Sequence, residues 1–179
     1  MTKGSPSRAV ALLTCALLAA VPACTNKKDR YVLTGEICSI PINVKTLSPL
    51  LPEGKEIKGR TGSLSHPLSS CKIYVDKELI IFIEINQINN YYDPETSKEY
   101  RKIAHSSVIE ALPFEGKGVA GDTDSIVIAK CSSPKSKYVI TDVTVRGDFN
   151  EKTSERRHNI ESFAREFTVA TKKKIGCTS

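Results

Sequence analysis

The chain has no tryptophan, one methionine and three histidines, and only 6% of its 179 residues are aromatic. It also lacks an apolar run of the about 20 residues that a membrane-spanning helix needs. CxxC pairs, HExxH and GxSxG are missing as well. These absences leave no motif for a zinc module, a zinc protease or a serine hydrolase of the elbow type. Basic residues outnumber acidic ones, 26 to 20, but no basic run is interleaved with aromatics, so nothing points to nucleic acid. The remainder is ordinary, with 40% apolar and 26% charged residues. That suffices for one compact domain and excludes collagen-like, low-complexity and wholly disordered chains.

The first two dozen residues read as an address. Lys3 and Arg8 form a positive n-region, and Ala9 to Val21 is a thirteen-residue apolar stretch, the length of a signal-peptide core. Val21-Pro22-Ala23 offers the small residues that a general signal peptidase accepts before its cut. Followed by Cys24, the same residues also resemble a bacterial lipobox, in which the cysteine after the cut receives a diacylglyceryl thioether. Cysteine parity favours the lipid. Cys15 leaves with the signal and Cys24 takes the anchor, so Cys38, Cys71, Cys131 and Cys177 remain as an even set in an oxidising compartment. Without lipid, the protein would be secreted and soluble, with an odd thiol at Cys24. The expected organisation is a lipoprotein signal peptide (1–23), a lipidated tether (24–35) and one extracytoplasmic domain (36–179). The bilayer is then a partner through diacylglyceryl-Cys24. Lys27, Lys28 and Arg30 read as a solvated part of the tether.

Periodicity divides the rest. Ser39 to Leu47 reads as a short helix with Ser39 as N-cap and Pro41 in its first turn, ended by Pro49, Pro52 and Gly54. Gly54 to Ser70 reads as loop, with one edge strand near Lys55–Lys58. Cys71–Val75 and Glu78–Gln87, joined by a turn at Asp76-Lys77, form a hairpin. The apolar run through Leu79 to Ile85 predicts a strand buried on both faces. A short helix is expected from Asp93, with Tyr100, Ile103 and Ala104 on its apolar face. Leu112 to Asp124 reads as a glycine-rich loop, and Ser125–Cys131 and Tyr138–Arg146 as a second hairpin. In the last helix Ile160, Phe163, Ala164, Phe167 and Ala170 or Thr171 recur at helical spacing. Lys172 to Lys174 suit its C-terminal dipole, and Gly176 suits its cap.

Two hairpins with helices packed on one face predict an α+β fold with an antiparallel sheet of four strands or slightly more. The order of elements suggests two similar halves without a residue-level repeat. In this arrangement Cys38–Cys71 and Cys131–Cys177 are the favoured staples, among the three pairings that four cysteines allow.

Several segments together resemble a known kind of protein. They are Val21-Pro22-Ala23-Cys24, Gly35-Glu36-Ile37-Cys38-Ser39-Ile40 and Ser69-Ser70-Cys71-Lys72-Ile73-Tyr74-Val75. Gly116 to Asp122 before the Cys131 strand and the closing Lys-Lys-Ile-Gly-Cys complete the set. The chain is similar to small exported lipoproteins of actinobacteria, streptomycete-like, from families without an assigned activity. More loosely, its two-disulfide plan resembles the extracellular sensor domains of some actinobacterial kinases. The resemblance implies a lipoprotein and no catalytic residues.

Few residues suggest chemistry. Gly116-x-Gly118-x-x-Gly121 matches a dinucleotide fingerprint but precedes a strand, so no helix N-terminus awaits a pyrophosphate. Asp122 and Asp124 offer oxygen ligands without the loop or the terminal Glu of a calcium site. Tyr91 and Tyr92, after Asn89-Asn90, form the one exposed-looking aromatic pair and a candidate binding surface. His66, His105 and His158 are scattered, and no catalytic residue, metal ligand or cofactor is assigned. The expected function is a non-enzymatic binding or sensing module for a small molecule, a wall component or a membrane protein. The alternative is a cell-envelope hydrolase assembled from distant loops, with His66 or His158 as base. A histidine beside a serine or carboxylate in a cleft favours the enzyme, and a largely apolar cleft with few polar groups favours binding.

Overall fold

The computed structural model describes Met1 and residues 30–98, 103–147 and 152–178. Apart from Met1, the proposed signal peptide lies outside them, as does Cys24. A two-residue ribbon, β1 (Glu36–Ile37) and β2 (Ile40–Pro41), leads into helix α1 (Val44–Leu47) and a 3-10 turn, Ser48–Leu50. The strands β3 (Ile57–Thr61), β4 (Leu68–Val75), β5 (Glu78–Ile88), β6 (Ser107–Val108), β7 (Gly116–Ala120), β8 (Asp124–Lys130) and β9 (Tyr138–Val145) follow. Helix α2 (Thr153–Ile175) comes last. The seven strands form one antiparallel sheet in the order β3-β4-β5-β9-β8-β7-β6. The fold is therefore α+β with more sheet than four strands, and two meanders meet where β5 pairs with β9.

Alternation decides which face of each strand is covered. Cys71, Ile73 and Val75 of β4, Ile81, Ile83 and Ile85 of β5, and Val139, Val143 and Val145 of β9 are buried in one core. The stripe Ile160, Phe163, Ala164 and Phe167 of α2 packs into that core. The helix ends as expected, on Gly176 at φ 80°, whose amide and that of Cys177 reach the carbonyls of Lys173 and Lys172. Cys38–Cys71 and Cys131–Cys177 stand at bonding distance, with S–S 2.08 and 2.01 Å. The first ties the β1–β2 turn to β4, and the second ties the end of α2 to the end of β8.

Several expectations change. Ser39 does not cap a helix: Cys38 and Ser39 are the left-handed turn of the β1–β2 ribbon, at φ 53° and 60°. The cap is Asn43, whose side chain accepts from the amide of Lys45. Pro49 lies within the 3-10 turn. The edge strand extends to Thr61, further than the Lys55–Lys58 reading placed it. Residues 94–97 are turn and bend, with the Asp93 side chain accepting from the Glu95 amide; Lys98 is helical, and residues 99–102 of the expected helix lie outside the described residues. Tyr100 lies outside the described residues. The segment Gly116–Ala120 is a strand and not a loop. Its neighbours come so close that a Cβ at Gly116 would lie 2.2 Å from the Ile128 carbonyl oxygen, so glycine is what lets the strand form there. The strand buried on both faces is β8, not β5, because Phe82 and Glu84 of β5 are not buried. Residues 30–35 are not simply tether, since Tyr31 and Leu33 pack on the core.

Candidate functional site

The face of the sheet opposite α2 is divided. Over β7, β8 and β9 it is covered by the connection from β5 to β6, which buries Ile103 with Val119, Ile126, Ile128 and Ile140. Lys117 clamps this connection, donating to Asp93 at 2.7 Å and Glu95 at 2.9 Å. The Lys117 hydrogen bond, followed by the Glu95 amide, holds the Asp93 carboxyl below its usual range, and the two acids raise the Lys117 amine. Over β3, β4 and β5 the same face is bare.

Where the covered half meets the bare half lies a groove of about 710 Å³. Leu68, Asn86 and Ile140 form one cross-strand row of its lining, with Ile88 on one side of that row and Glu84 and Asp142 on the other. Glu84 and Asp142 are register partners on β5 and β9, so two carboxylates stand on neighbouring strands in its lining. Asn89, Asn90 and Tyr92 form one rim. A smaller hollow of about 290 Å³, lined by Glu56, Lys58, Arg60, Tyr74 and Lys77, lies on the bare half.

No protein-family model, curated protein or solved structure matches the chain.

The residues singled out from sequence are only partly brought together. Tyr92 reaches the groove, whereas Tyr91 tilts against Tyr138, with ring centroids 5.5 Å apart. Burial, then the nearby Asp93, raises the Tyr91 hydroxyl above its usual range. Asp122 and Asp124 do not converge. Asp124 accepts from the hydroxyls of Thr144 at 2.8 Å and Thr123 at 2.6 Å. Asp122 bonds His105 Nδ1 at 2.6 Å and accepts from Arg157 at 2.6 Å, while its backbone carbonyl accepts from Arg156. The Arg157 guanidinium, then His105, holds the Asp122 carboxyl below its usual range. Among the described residues no three of His, Cys, Asp and Glu gather as for a metal.

Two features escaped the sequence reading. Glu84 and Asn86 on β5 are far in sequence from Asp142 on β9, and only the β5–β9 register brings them together. Alternation in β5 could have marked Glu84 and Asn86 as one face. The His105–Asp122 pair had no signal at all, because it joins two loops. His105 is 77% exposed in its side chain, and neither it nor Asp122 lines the groove or the hollow.

Proposed function

We propose that the protein is an extracytoplasmic lipoprotein, anchored through Cys24, whose folded part is a non-enzymatic binding or sensing module. The groove on the sheet is the observation that carries this reading. It combines apolar side chains with carboxylate, amide and phenol groups on the strands of one sheet, the composition of a site for a small polar molecule or wall fragment. Intact mass of protein from its native membranes, alkylated without reduction, tests the anchor. A chain of residues 24–179 carrying diacylglyceryl and no alkylated cysteine is expected, and an unlipidated chain alkylated at Cys24 refutes it. Titration with solubilised wall fragments, followed by backbone amide shifts, tests the groove. Shifts centred on Glu84, Asn86 and Asp142, lost in Asn86→Ala, support it; unchanged spectra count against this ligand class.

One observation favours the hydrolase alternative. The Asp122 carboxylate holds His105 at Nδ1, as the base of a catalytic pair is held, on the exposed surface outside the groove and the hollow. His105 then replaces His66 and His158 as the candidate base. Hydrolysis of wall fragments that disappears in His105→Ala would establish that reading in place of binding.

A further inference from the structure

We propose that the end of the sheet where the chain enters the fold docks on anionic phospholipid, so that the protein rests on the bilayer instead of swinging from its tether. This rests on the reading of Cys24 as the anchor. Tyr31 fixes the entry point: its amide donates to the Gly54 carbonyl at 3.2 Å and its hydroxyl to the Pro52 carbonyl at 2.7 Å. Arg30 pairs with Glu53 beside it. Gly54 abuts Val75 and Asp76, which sets the entry point against the β4–β5 turn. Six residues run from Cys24 to Arg30, a reach of at most about 20 Å. The anchor therefore holds this end of the molecule nearest the headgroups.

Cations gather at that end and on the bare face next to it: Lys55, Lys58, Arg60, Lys72 and Lys77. Besides Glu53, which pairs with Arg30, three acids share this region, and two of them have partners there. Glu56 pairs with Lys58 at 2.6 Å, and Asp76 accepts from the backbone amides of Lys55 at 3.0 Å and Glu56 at 2.8 Å. Glu78 is the third. Arg60 and Lys72 are register partners on the same face, and like charges placed opposite one another repel. Neither has a carboxylate partner among the described residues; each lies over a ring, Arg60 5.4 Å from Tyr74 and Lys72 5.5 Å from Phe82. A phosphate layer relieves that repulsion, and the hollow of about 290 Å³ is lined by the three cations Lys58, Arg60 and Lys77, by Tyr74 and by one acid, Glu56, which Lys58 pairs. Protection of an exposed sheet edge accounts for Lys58 and Arg60 on β3, but not for Lys72 in β4 or Lys77 in the turn.

The test uses the mature chain with Cys24→Ser, which has no lipid of its own, and co-sedimentation with vesicles. Binding is expected to mixed phosphatidylglycerol and phosphatidylcholine, to weaken with added salt, and to be absent on phosphatidylcholine alone. The pair Arg60→Glu and Lys72→Glu is expected to lower partitioning at least about tenfold. The control pair Lys173→Glu and Lys174→Glu, at the opposite end of the sheet, is expected to retain most of it. Equal binding to both vesicles, no binding to either, or equal losses in the two pairs overturns the proposal. Intact mass reports the anchor separately, so loss of docking and loss of lipidation are told apart.

Discussion

The Asp122 side chain holds His105 and Arg157, while its backbone carbonyl holds Arg156, so replacing the side chain loosens the His105 loop and Arg157 but leaves the Arg156 contact. Asp122→Asn removes the charge that faces His105 and Arg157, and the Arg157 Nε is already buried without a partner. Because the folded carboxyl lies below its ordinary value of about 3.9, its contribution is present above that pH. It is lost as the pH falls through the lower folded value. Thermal melting should therefore show Asp122→Asn less stable than the parent at pH 7, with the gap closing in strong acid. A gap that widened in acid would contradict the assignment. A second residue-scale case is the buried pair Thr141 and Thr168, bonded to each other while Thr168 also donates to the Ala164 carbonyl. Thr168→Val strands the Thr141 hydroxyl and should cost about 1–3 kcal/mol in urea unfolding. Thr141→Val combined with Thr168→Val should recover most of that loss.

At the scale of elements, α2 was legible in advance because a helix that buries one stripe must repeat it every three or four residues. The stripe from Ile160 to Phe167 does so. The strand at Gly116–Ala120 was not, because glycine reads as a loop former unless the neighbouring backbone is known. Gly121 shows the same close approach, since a Cβ there would lie 2.3 Å from the Ile103 side chain and 2.5 Å from the Ala104 carbonyl oxygen. Gly121→Ala should therefore push the β5–β6 connection off the sheet and destabilise by about 1–3 kcal/mol. Hydrogen exchange should quicken at the Asp122 amide, which donates to Ala104, while the centre of β5 stays protected. Uniform loss of protection would argue against a local effect.

At the scale of the molecule, the two disulfides close loops of 33 and 46 residues of separation. The chain-entropy relation gives about 4 kcal/mol for each. Reduction under native conditions should lower the melting temperature strongly, and Cys131→Ala with Cys177→Ala should loosen the C-terminal turn of α2 first. An unchanged melting temperature after complete reduction would remove the disulfides from the stability of the fold.

The sequence alone determined the α+β class, the last helix, the β4–β5 and β8–β9 hairpins and the favoured cysteine pairs. Each depends on local periodicity, on turn residues or on the order of elements along the chain. Tertiary structure decided the seven-strand order, the burial of β8 on both faces, the groove beside Glu84 and Asp142, and the meeting of His105 with Asp122. Those features depend on register between distant strands and on loops that touch only after folding. Side-chain spacing along one strand carries no record of which residue lies opposite on another, and that pairing is what brings the polar groups of this protein together.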